Sequence, residues 1–161
     1  MAHGTDANAP ANSIKAYQGH QWLQLAGIGA TNGSIDQDLT TVPGTAYVLS
    51  FAATGNPYAG QVMQMEVGWG GSTISSLSFD PTGFTFADPG WKVFTFDVTA
   101  NTATTRLEFT HVTSGANPAG PVIDAVSVTA ASVPEPSSLV MSSLILALVG
   151  GTVALNRRRR L

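Results

Sequence analysis

Apolar and polar residues alternate singly along most of this chain. Tyr47, Leu49 and Phe51 alternate with Ser50 and Ala52. Lys92, Phe94, Phe96 and Val98 alternate with Thr95 and Asp97. Thr105, Leu107, Phe109 and His111 alternate with Arg106, Glu108 and Thr110, and Val122, Val126 and Val128 with Ile123, Ala125 and Ser127. A period of two sends successive side chains to opposite faces of an extended chain, so these runs predict half-buried β-strands. Turn formers punctuate them: Thr31-Asn32-Gly33, Val42-Pro43-Gly44, Gly55-Asn56-Pro57, Asp80-Pro81-Thr82-Gly83, Asp88-Pro89-Gly90 and Asn117-Pro118. No stretch before residue 133 sustains a helical period. The pattern predicts an all-β domain over residues 18–130, with seven or eight short strands in an antiparallel jelly-roll sandwich. Residues 1–17, rich in Ala, Asn and Pro, are expected to be a poorly ordered leading segment.

The pattern changes after residue 130. Residues 131–138 read as a linker containing Val133-Pro134-Glu135-Pro136, followed by an uncharged apolar run of 17 residues, 139–155. Residues 156–161 then hold Arg157, Arg158, Arg159 and Arg160. As a helix the run spans ~25 Å, the short end of what crosses a bilayer. Its lack of a polar face argues against a buried core helix with a basic end. Arginines flanking a membrane helix stay on the cytoplasmic side, which places everything before residue 133 outside. A permanent tail anchor on a cytosolic protein would put the body on the wrong side of those arginines.

Charge narrows the partners. Residues 1–132 hold three basic residues (Lys15, Lys92, Arg106) against nine Asp and Glu, a balance of minus six. A nucleic-acid partner would need clustered Lys and Arg, so none is expected. The absence of cysteine removes thiol catalysis, disulfides and cysteine metal sites. His3, His20 and His111 show no metal-ligand spacing, and His111 falls on an apolar strand face, where a structural role is expected. No serine sits in a Gly-x-Ser-x-Gly elbow. The carboxylates are scattered, and their spacing neither supports nor opposes a glycosidase pair. The domain is expected not to be an enzyme.

Val-Pro-Glu-Pro, a short apolar run and a terminal arginine cluster, in that order, resemble the PEP-CTERM sorting signal of Gram-negative bacteria. The resemblance covers residues 133–161. It implies that Pro134, Glu135 and Pro136 are recognised in the inner membrane by an exosortase, with Arg157, Arg158, Arg159 and Arg160 as a stop-transfer brake. Two prolines hold the motif extended, which suits a peptide lying in an enzyme groove. The protein is then transiently anchored with its C-terminus cytoplasmic, and afterwards reaches the cell surface or extracellular matrix. Residues 1–13 carry no export signal. The expectation is that the start is assigned too late, with a truncated gene copy or an unrecognised export route as alternatives.

The body is similar to the choice-of-anchor domains, galactose-binding-like jelly rolls akin to plant cell-wall domains of unknown function. The resemblance rests on Trp22-Leu23-Gln24-Leu25, residues 33–39, residues 42–51, Gly90-Trp91, Leu107-Glu108-Phe109 and residues 123–128. It implies a missing first strand, because the usual opening Asn-Gly-Ser-Phe-Glu-like segment is absent. In related carbohydrate-binding modules an aspartate of the last strand helps to hold a structural calcium, which makes Asp124 the candidate metal ligand. The alternative is that Asp124 sits at a strand end and bonds backbone amides. Alternation places it beside Val122, Val126 and Val128, where an unpaired carboxylate is costly.

Flat aromatic rings stack on pyranose faces, so the aromatics are candidate sugar contacts. Trp22 and Trp91 stand at strand starts and are expected in the core. Tyr58 and Trp69 lie beside Gly and Pro, read as loops, and are the candidate ligand-binding residues. The function expected is a non-catalytic, exported carbohydrate-binding or adhesion module contacting extracellular polysaccharide. The alternatives are a structural biofilm or matrix component without a defined ligand, and a glycan-active hydrolase.

Overall fold

The computed structural model describes residues 3–4, 13–26, 32–113 and 119–132. Nine strands occur among them: β1 (His3–Gly4), β2 (Trp22–Gln24), β3 (Ser34–Thr40), β4 (Ala46–Thr54), β5 (Met63–Trp69), β6 (Ser72–Phe79), β7 (Lys92–Thr99), β8 (Thr104–His111) and β9 (Val122–Ala130). They form a five-stranded sheet, β1-β2-β9-β4-β7, and a four-stranded sheet, β3-β8-β5-β6. Every pairing is antiparallel. The all-β sandwich expected from the alternation is therefore present. The sorting motif Pro134-Glu135-Pro136, the apolar run 139–155 and Arg157, Arg158, Arg159 and Arg160 lie outside the described residues. Among the described residues no helix is long and apolar enough to cross a membrane.

Alternation builds the main core. Met63, Met65, Val67 and Trp69 of β5 point inward, as do Thr105, Leu107, Phe109 and His111 of β8. Phe51 of β4 reaches across and meets Phe109 edge-on at 4.9 Å between centroids, a favoured aromatic geometry. Phe79 and Phe94 make a second edge-on contact at 6.0 Å. The β5–β6 turn needs Gly70 and Gly71, whose φ angles are +59° and +84°. A residue with a Cβ is strained there, so the two glycines permit the tight reversal.

A second apolar cluster lies on the outer face of the five-stranded sheet. Ile123 faces the main core, so its neighbour Val122 faces outward, and there it packs with Ile14, Ala16 and Trp22. Phe86 and Trp91, from the β6–β7 connection, close over them. Indole N–H groups tie this cap together: Trp22 Nε1 donates to the Ile14 carbonyl at 2.7 Å and Trp91 Nε1 to the Lys15 carbonyl at 2.9 Å. Lys15 N donates to the Phe86 carbonyl at 2.8 Å. Thr54 Oγ1 donates to the Pro89 carbonyl, linking β4 to the same connection. Gly90 is required in that connection: its φ is +72°, and a Cβ would stand 2.3 Å from the Phe84 ring. The expected boundary at residue 18 is thus too late. Ile14 is 1% exposed, and residues 13–17 form a strap belonging to the domain, because the sheet's outer face needs an apolar cover.

Strand β9 departs from simple alternation. Its pairing with β4 shifts between Ser50 and Ala52, and Ala125 in the shift has φ +51°. A bulge reverses which face the following residues present. Asp124, opposite Ala52, therefore shares a face with Val122, whereas Val128, opposite Leu49, faces the other way. This corrects the sequence-derived face that joined Asp124 with Val126 and Val128. On its other edge β9 pairs with β2 only at Val122 and Ile123. Beyond these, residues 126–130 have no ladder partner on that edge among the described residues. Beneath it lies an apolar cleft of about 390 Å³ that includes Leu23, Ile35, Leu107 and Val126.

Candidate ligand-binding site

The site assembles where the cap meets the start of the β4–β5 connection. Asn56 makes the turn: its Oδ1 accepts from Tyr58 N at 2.9 Å, and its carbonyl accepts from Ala59 N at 2.9 Å. An asparagine bonding the backbone two residues on is a standard way to fix a turn, and the proline between them holds φ. The turn lifts Tyr58 into solvent, with 72% of its surface exposed, while Asn56 itself is buried. Asn56 Nδ2 donates to Gln24 Oε1 of β2 at 2.7 Å, locking the turn to the sheet. Ile14, Trp22, Gln24, Asn56, Tyr58, Phe86 and Ala119 then line a pocket of about 560 Å³. Its wall is aromatic and aliphatic, with two side-chain amides set into it. That composition suits a ligand with apolar ring faces and hydroxyl edges.

Trp69 does not join it. It is the last residue of β5, 6% exposed and packed in the main core. Its Nε1 donates to the Thr99 carbonyl at 2.9 Å, and its ring tilts against Tyr47 at 6.1 Å. The expectation of Trp69 as an exposed loop ring is corrected. The glycines after it make a hairpin turn, and the alternation of Met63, Met65 and Val67 continues inward through it. Trp22 is buried in the cap cluster and Trp91 is partly buried against it. Tyr17, 48% exposed, meets Trp91 edge-on at 6.1 Å.

Asp124 is a tie within the fold. Its Oδ2 accepts from Tyr17 N and Gln18 N at 2.9 and 3.0 Å, and its Oδ1 from Ala125 N at 2.6 Å. The carboxylate thus fastens the strap to β9 and holds the bulge. A calcium site needs several convergent oxygens. No group of three or more His, Cys, Asp or Glu that could hold a metal exists among the described residues. Three N–H dipoles already aim their positive ends at this carboxylate, so the residues present do not fit a calcium at Asp124. His20 shares a shallow surface pocket with Asp124 and adds no third ligand.

Other charged groups lie on the opposite sheet. Arg106 Nε bonds Asp38 Oδ1 at 2.8 Å and approaches Asp36 Oδ2 at 3.3 Å. The hydrogen bond to Arg106 holds the Asp38 carboxyl below the usual range, and Asp38 in turn raises Arg106. His111, expected to be structural, is 2% exposed, and neither ring nitrogen makes a well-formed hydrogen bond among the described residues, although Nδ1 lies near the Leu25 backbone. Burial pushes its pKa down, offset in part by the Leu25 carbonyl. The sequence reading missed Ile14, Gln24, Asn56 and Phe86 as pocket residues. Asn56-Pro57 carried a signal, since an Asx turn there directs the next side chain outward. Phe86, flanked by turn formers, carried none.

Two antiparallel sheets define the architecture, an all-β sandwich of jelly-roll type. The chain is similar in fold to a family 35 carbohydrate binding module from Clostridium thermocellum, at 18% identity, covering 73% of this chain and 84% of that one with a TM-score of 0.53. It is also similar to the family 35 module of Cellvibrio japonicus Abf62, at 15% identity, covering 81% of this chain and 95% of that one with a TM-score of 0.52. The chain belongs to the family described as "Protein of unknown function (DUF642)", whose model matches residues 5–129. No curated protein matches it.

Proposed function

We propose that this protein is a non-catalytic carbohydrate-binding module displayed outside the cell, with the Tyr58 pocket as its ligand site. The observation that carries the reading is the exposed Tyr58 side chain, set by an Asx turn beside the Asn56–Gln24 amide pair. A turn whose backbone is already fixed loses little main-chain freedom on binding, which favours affinity. The named modules of similar fold support the ligand class. The ligand is extracellular polysaccharide. The tail supplies delivery: an exosortase in the inner membrane reads Pro134, Glu135 and Pro136 while Arg157, Arg158, Arg159 and Arg160 hold the C-terminus in the cytoplasm.

Affinity electrophoresis of the full chain through gels containing single polysaccharides tests the ligand reading. At least one glycan retards the wild type, and Tyr58→Ala removes the retardation without changing the unfolding midpoint. Equal retardation of both proteins rejects the site. For the tail, replacing the four arginines with Ser in an exported form leaves the protein unprocessed or misplaced. Unchanged processing and location reject the brake.

A further inference from the structure

Resting on the reading of the Tyr58 pocket as a glycan site, we infer that its ligand is a neutral polysaccharide, bound without a metal ion. Among the described residues, every one that lines the pocket is uncharged. Lys15 and Lys92, the only lysines of the chain, are not among them. Arg106 is engaged on β3 of the other sheet with Asp36 and Asp38. A carboxylate or sulfate on a sugar is recognised by a fixed cation, most often the guanidinium fork of arginine, or through a bound metal. Among the described residues this pocket offers neither. The candidate metal ligand, Asp124, already accepts from Tyr17 N, Gln18 N and Ala125 N.

The surrounding field points the same way. Residues 1–132 carry three basic and nine acidic side chains, so the body repels a polyanion at long range. A neutral hexose or pentose polymer meets no such barrier. Its ring faces lie on Tyr58, and its hydroxyls meet the amides of Asn56 and Gln24. Both amide oxygens already accept hydrogen bonds, from Tyr58 N and Asn56 Nδ2, which fixes the orientation of the amides before the ligand arrives.

The test uses the purified full chain in a polyoxyethylene detergent, which carries no sugar headgroup. Retardation is measured on xylan, mixed-linkage β-glucan, galactomannan and amylose, and on polygalacturonate and alginate, each with EDTA and with added calcium. The expected result is retardation by one or more neutral polymers, abolished by Tyr58→Ala, unchanged by EDTA, and absent on both polyuronates. Polyuronate binding that Tyr58→Ala abolishes would keep the glycan site but overturn the neutral-ligand inference. Loss of binding in EDTA would overturn its metal-free part. No retardation on any polymer would overturn both the glycan reading and this inference.

Discussion

Two apolar clusters hold this domain, and they are built by different means. The main core lies between two sheets and is assembled by alternation alone, with side chains such as Phe51, Met65 and Phe109 at 1%, 0% and 3% exposure. The cap on the outer sheet face is smaller and is assembled by a strap and a loop. Its apolar side chains are fastened by bonds from indole N–H groups to carbonyls and from backbone amides to Asp124. The core sets the fold, whereas the cap, with Ile14, Trp22 and Phe86, makes the wall against which Tyr58 stands. On the proposed reading, binding chemistry sits where the scaffold is tied together, not where it is most densely packed.

The contrast can be broken first at its stronger side. Phe51→Ala removes a ring wedged between Phe94, Phe96 and Phe109. It is expected to cost about 3–5 kcal/mol, the range for burying a cavity of that size, and chemical denaturation measures it. A loss under about 1 kcal/mol would mean that the inter-sheet core closes over the gap.

The cap is expected to yield next. Asp124→Ala deletes the acceptor of three amides, worth about 1.5–3 kcal/mol for a bond to a charged group. It loosens the strap before the sheets, so amides of residues 14–18 exchange hydrogen faster than those of β5. The loss is the same with calcium or EDTA. A calcium-dependent difference would return Asp124 to the metal-ligand role.

His111 sharpens the comparison through pH. Its folded pKa is depressed by burial, so the unfolded chain binds the proton more readily than the folded one. Stability therefore falls as pH drops below the unfolded value of about 6.5 and keeps falling until the lowered folded value is passed. Above that window the histidine is neutral in both states and contributes no slope. His111→Leu is expected to flatten this acid limb, read as unfolding midpoints between pH 7 and 5. An unchanged limb would assign acid sensitivity to the carboxylates.

Much of the main core was legible in the sequence, because a period of two maps directly onto faces. Phe94, Phe96, Leu107 and Phe109 lie where alternation puts them. Two errors arose where one residue changes the pattern: the bulge at Ala125 flips the face of β9, and Gly70-Gly71 disguises the end of a regular strand as a loop. The cap was illegible for another reason. Ile14 and Phe86 belong to no periodic run, and their burial depends on contacts across 72 positions of sequence. Tyr58 was expected in a loop because Gly and Pro stand nearby, and it is exposed there, but its neighbours Gln24 and Asn56 are joined only by the fold.

On this account Tyr58 carries binding without carrying stability, which the single substitution Tyr58→Ala puts at risk. Isothermal titration of the wild type and the variant is made against a neutral polysaccharide that retards the wild type, with unfolding midpoints taken on the same samples. The account predicts affinity at least about tenfold weaker, which is about 1.4 kcal/mol, with stability within about 0.5 kcal/mol of the wild type, as for other exposed side chains. Equal affinity in the two proteins would contradict it.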